Sequence, residues 1–166
     1  TIVQTTDDRR SAARVAALAT GRGYQVRIRG LANGRAVDEL RHCNAVRAAV
    51  RTATDWPAVR REFAGGTLQV VVSNTGDAGW QLDAMDGPQA LAPGAAAPRA
   101  FPAKLLVALH DRWQARPDAA LTLLPCELVA RNGERLRDIV LGLARQWRLD
   151  EAFLTWLRTR PVWGNS

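Results

Sequence analysis

The sequence predicts an α/β fold: a mostly parallel sheet flanked by helices, with an inserted β-hairpin. Three observations predict it. Residues 121–136 (LTLLPCELVARNGERL) pass from a short apolar run into a polar turn and then into an amphipathic helical pattern. Residues 68–79 (LQVVVSNTGDAG) likewise run from β-branched side chains into small hydrogen-bonding residues and glycine. From Tyr24 to Arg29 the residues alternate with period two, and Ala32, Asn33 and Gly34 then turn the chain toward Ala36, Val37 and Leu40, the pattern of a hairpin. Two strand-loop-helix units imply parallel strands. Their carboxyl ends, with the adjoining helix amino ends, direct unpaired N–H groups and partial positive charge into a ligand crevice. Ser73, Asn74, Thr75, Asp77, Cys126 and Glu127 stand at that edge.

In chain order, Ile2 and Val3 open a strand, and Thr5, Thr6, Asp7 and Asp8 favour turns and caps. Residues 11–18 allow a short helical turn, broken by Gly21 and Gly23, and residues 46–50 add a strand after the hairpin. Thr54 or Asp55 caps a helix with Pro57 in its first turn and Val59 and Phe63 on one face, ending at Gly65 and Gly66. The strand at 68–73 follows. Residues 79–98, rich in Gly, Pro and Ala, form a surface loop. Phe101 and Pro102 start a helix carrying Leu105, Leu106, Leu109 and Trp113, which stops before Pro117. After the strand at 121–124, Leu136, Ile139, Val140, Leu143 and Trp147 mark a long helix, and residues 150–158 a shorter one. These stripes are core.

Length and composition fit one domain spanning residues 1–166, with 47% apolar residues. No apolar run approaches the roughly 20 residues that cross a bilayer, and no basic-then-apolar leader opens the chain, so the expectation is a cytoplasmic protein without a membrane partner. Cys43 and Cys126 lie in unrelated contexts, so the spacing suggests neither a zinc site nor a disulfide. His42 and His110 lack metal-ligand partners in the sequence, and no metal is expected. A net charge of +7 raises nucleic acid as a partner, but the arginines are scattered singly or in pairs, which reads as a solvated charge excess. There is no GxSxG elbow, phosphate loop or HExxH element, so the hydrolase and nucleotidase readings get no support.

Three segments together carry a family resemblance. VSNTGDAG at 72–79, FPAKL at 101–105 and LPCELVARNG at 124–133 resemble, in order and spacing, the mannitol dehydrogenase family, closest to its tagaturonate reductase branch. WGNS at 163–166 resembles the start of the segment leading into that family's VDRI signature. The resemblance implies a Rossmann-like domain binding NAD, with NADP still open, and a reaction passing hydride between nicotinamide and a sugar acid or polyol. It also places the first strand and glycine-rich turn ahead of Thr1, and the domain with the catalytic lysine after Ser166. The chain then reads as an excerpt of the cofactor domain or a degraded homologue, inactive by itself. A non-catalytic α/β interaction module derived from such an enzyme is the alternative.

The resemblance also assigns roles. Asp7, with Thr6 and Asp8 as rivals, would accept from the adenosine ribose hydroxyls or cap a turn. Asn74 and Thr75 would hold the pyrophosphate or nicotinamide ribose. Asp77 would either relay a proton to the catalytic lysine or cap its turn. Cys126 and Glu127 would meet the cofactor through their backbone, and Asn132 would cap the next helix or face the site. Leu128 replaces the asparagine that many members use to polarise the substrate oxygen, so that role is not carried over. Lys104, the lone lysine, would attract a sugar-acid carboxylate or lie along the surface.

Overall fold

The computed structural model describes residues 1–6, 9–76 and 79–166, and the chain divides into two compact units, Thr1–Asp55 and Trp56–Ser166. Asp7 and Asp77 lie outside the described residues.

In the first unit, β1 (Ile2–Gln4) pairs in parallel with β4 (Ala49–Arg51). Between them come α1 (Arg9–Ala19) and a hairpin of β2 (Tyr24–Ala32) and β3 (Arg35–Cys43). Asn33 and Gly34 both take positive φ, 51° and 76°, which is what a two-residue type I′ turn requires and what asparagine and glycine tolerate. That turn fixes the register from Ala32↔Arg35 to Tyr24↔Cys43. The helix runs past the expected 11–18 at both ends. The fourth strand begins later than the pattern at 46–50 suggests, because only Ala49, Val50 and Arg51 find partners in the three-residue β1.

The second unit holds α2 (Trp56–Ala64), β5 (Val70–Ser73), a 3₁₀ turn (Pro88–Leu91), α3 (Phe101–Ala115), β6 (Thr122–Pro125), α4 (Asn132–Gln146), α5 (Glu151–Thr159) and β7 (Val162–Trp163). Its strands form one parallel sheet in the order β5-β6-β7, with Val70↔Thr122, Ser73↔Pro125 and Leu123↔Trp163 in register. The two strands that define the crevice are therefore parallel neighbours, as expected. The sequence pattern does not announce β7, because two residues are too few to show a period.

The core of this unit is made by Leu106, Leu109, Leu123, Leu136, Val140, Phe153 and Leu157, each 2% exposed or less. Pro102 to Leu109 are buried on every side of α3, so that helix is central rather than a one-face surface helix. Deep within it lies Arg112, fully buried, whose guanidinium donates to the carbonyls of Phe63 (3.2 Å), Leu68 (3.0 Å) and Ala120 (2.8 Å). It ties the end of α2, the lead into β5 and the α3–β6 connection together. Among the described residues no helix is long and apolar enough to cross a membrane.

Candidate functional site

Parallel register brings the carboxyl ends of β5, β6 and β7 to one rim. Backbone bonds continue the ladder past the strands: Cys126 N–H donates to the Ser73 carbonyl at 2.7 Å, and Gly164 N–H to Leu123 at 2.9 Å. Beyond that point side chains take over. Glu127, 7% exposed, accepts at Oε1 from the N–H and hydroxyl of Thr75, both at 3.0 Å, and at Oε2 from the Ser73 hydroxyl at 3.1 Å. Burial alone would push its pKa up. The hydrogen bonds from Thr75, Ser73 and its own backbone N–H outweigh that and hold the carboxyl below its ordinary 4.5.

Asn132, 1% exposed, is the second knot. Its amide nitrogen donates to the Glu127 carbonyl (3.1 Å) and the Ser166 hydroxyl (2.8 Å), while its oxygen accepts from the N–H groups of Gly133 (2.9 Å) and Ser166 (3.1 Å). The α4 amino terminus follows a left-handed Arg131 (φ 54°) that supplies no side-chain cap. Asn165 caps it from across the rim, accepting from Gly133 (2.9 Å) and Glu134 (3.3 Å) and donating back to Glu134 (3.2 Å). That reciprocal exchange has the logic of a capping box assembled from distant segments. Gly133 allows the approach: a β-carbon there would collide with the Gly164 carbonyl oxygen.

Beside the rim is a recess of about 410 Å³ whose walls include Gly76, Trp80, Glu127, Leu128, Arg135 and Ile139. Leu128 is 98% exposed at its lip. A second recess, about 630 Å³, lies between α2, the 91–95 segment and α3, floored by the Arg60–Asp111 ion pair at 2.6 Å. None of the expected site residues that the structure describes lines it.

The structure thus brings Thr75, Glu127 and Asn132 into one bonded network, with Cys126 beside it and Asn74 exposed on the turn above. Lys104 stands apart from that network. It is buried in the first turn of α3, 7% exposed, and its ammonium donates to the Arg99 carbonyl at 2.6 Å. Burial pushes its pKa down, partly offset by Asp86, whose carboxylate accepts from the N–H groups of Arg99 and Ala100. The surface placement allowed by the sequence is not what is found. Asn165 and Ser166 were missed as site residues. The signal was there, since Val162-Trp163-Gly164-Asn165-Ser166 repeats the step from apolar strand to small polar residues seen at 70–75.

No family model matches the sequence. Curated relatives do. The altronate oxidoreductase of Bacillus subtilis (strain 168) is 31% identical over 150 residues, covering 86% of this chain, and that of Klebsiella pneumoniae subsp. pneumoniae is 36% identical over 138 residues, covering 81%. The chain belongs to the mannitol dehydrogenase family. It spans 28–29% of the length of those two relatives. Among solved structures, a D-sorbitol dehydrogenase in substrate-free form superposes with a TM-score of 0.73 at 18% identity, over 97% of this chain and 34% of that one. Pseudomonas fluorescens mannitol 2-dehydrogenase, solved as a ternary complex with NAD and D-mannitol, gives 0.72 at 18% identity over 97% and 33%. These likenesses show the fold, a Rossmann-type α/β arrangement of parallel strands flanked by helices.

Proposed function

We propose that the chain is the cofactor-binding part of an NAD-dependent oxidoreductase that passes hydride between nicotinamide and a keto-sugar acid or polyol, of the tagaturonate–altronate or mannitol–fructose kind. The observation that carries this reading is the rim, where three parallel strands end beside a recess, β5 and β7 in small polar residues and β6 in Cys126 and Glu127. The recess falls within the roughly 300–1,000 Å³ of ligand sites. Among the described residues nothing lies within 4 Å of where a β-carbon on Gly76 would stand. That space, next to exposed Asn74, fits one mononucleotide half of a dinucleotide.

In this reading Asn74, Thr75, Cys126 and the backbone of Glu127 hold the nicotinamide half, and Asn132 keeps their supports in place. Asp7, following β1 in the sequence, meets the adenosine ribose and favours NAD over NADP. Asp77 passes a proton toward a lysine supplied by another domain. Lys104 can meet a sugar carboxylate only if its ammonium leaves Arg99. When bound, nicotinamide supplies the hydride; this chain's residues bind and orient it. The protein works in the cytoplasm.

The domain also needs completion in this reading. Val70 and Val72 on β5 and Val162 on β7 are 53%, 62% and 59% exposed on one face of the sheet, and β5 is its terminal strand among the described residues. Parallel sheets are covered on both faces. A further strand-helix unit against β5 would supply both the cover and the phosphate-binding turn. The test is NADH titration. The whole protein should saturate, and residues 1–166 alone should bind far more weakly; a whole protein that shows no saturable NADH binding sinks the proposal.

A further inference from the structure

We propose that Glu127 is a positioning residue: its side chain braces the 74–76 turn from below, touching neither cofactor nor substrate, while Asn132 locks the brace from behind. This rests on the cofactor reading above and deepens it.

Saturation is the first support. Oε1 receives two donors from Thr75 and Oε2 one from Ser73, with the residue 7% exposed, so little of the carboxylate is left for a ligand. Geometry is the second. The Ser73↔Pro125 pair ends the β5–β6 ladder, the Cys126–Ser73 backbone bond closes it, and Glu127 then links the two chains where backbone pairing has stopped. It is a side-chain rung added to a finished sheet. The third is its own confinement: Asn132 grips the Glu127 carbonyl and, through Ser166, the segment after β7. Three donors aimed at the charged form make this carboxylate a poor proton carrier. Its effect passes through Thr75, whose N–H and hydroxyl it fixes, and so through the orientation of Asn74 and Gly76 beside the recess.

The test uses the whole protein and its variants Glu127→Gln, Glu127→Ala, Thr75→Ser and Thr75→Val. Two readouts are needed: amide hydrogen exchange at Thr75 without cofactor, and NADH affinity with the KM-against-kcat split. Losing a charge-assisted bond to a part-buried amide predicts that Glu127→Ala speeds Thr75 exchange and weakens NADH binding, each by about tenfold. Glu127→Gln, which keeps the shape and one acceptor, should lose less, and Thr75→Ser should recover more than Thr75→Val. KM for NADH should rise more than kcat falls, and the limbs of the pH–kcat profile should stay in place. A displaced limb in Glu127→Gln, or a fall in kcat exceeding the rise in KM, would show that the carboxylate handles protons and would overturn the proposal. Unchanged Thr75 exchange in Glu127→Ala overturns it too. Should the parent protein bind no NADH, the cofactor reading fails, and the exchange result still decides the brace.

Discussion

The two faces of the β5-β6-β7 sheet are built from alternate residues of the same strands, yet they live in different surroundings. On one face Leu123 is 2% exposed and Pro125 is buried; on the other Val70, Val72 and Val162 are each more than half exposed. Composition does not separate them, since both are apolar. Period-two alternation tells which residues share a face. It does not tell which faces have found cover, and here one apolar face is covered while the other is exposed.

Substitutions should split along that line. The largest effect belongs to Leu123→Ala, which opens a cavity in the covered face and should cost about 2–5 kcal/mol in chemical denaturation. Gly133→Ala comes next: its β-carbon must push back Gly164, and a loss of about 1–3 kcal/mol is expected from the strained rim. Val72→Ala, on the open face, should change stability by no more than about 0.5 kcal/mol. Equal losses for Leu123→Ala and Val72→Ala in residues 1–166 would erase the distinction between the faces.

Acid titration sharpens the contrast within the covered part. His110 packs against Phe153 and Trp113, with ring centres 5.0 and 5.5 Å away, and burial, with Arg60 adding to it against Asp111, lowers its pKa below 6.5. The unfolded chain then binds the proton more readily, so stability should fall as pH drops below about 6.5. Replacing His110 with Phe should flatten that part of the stability–pH curve. Glu127 acts lower down: its contribution is complete above about 4.5 and is lost as pH falls through its depressed folded value. Glu127→Gln should reduce that lower slope, to which Asp38 and Glu134 also contribute, and leave the His110 window intact. A single slope abolished by either variant alone would show that the two groups do not titrate separately.

Much of this was legible in the residues. Asn33-Gly34 announces the hairpin, the leucine spacing announces α3 and α4, and the abrupt ends of two β-branched or apolar runs announce the rim. What stayed hidden depends on distance along the chain. Asn132 reads locally as a helix start, and its role appears only with Ser166 and Asn165 more than thirty residues away. Lys104 reads as a cation that attracts a carboxylate or lies along the surface, and nothing in the leucine stripe marks Arg112. Because α3 is enclosed on nearly all sides, both are drawn inward onto backbone carbonyls, and no stripe pattern signals that.

The unpaired side of β5 has a practical consequence for anyone preparing residues 1–166. A short run of valines whose outer edge pairs with no strand among the described residues is a template for adding strands from other molecules. Light scattering from purified residues 1–166 should climb with concentration, and a lysine in place of Val72 should suppress the climb.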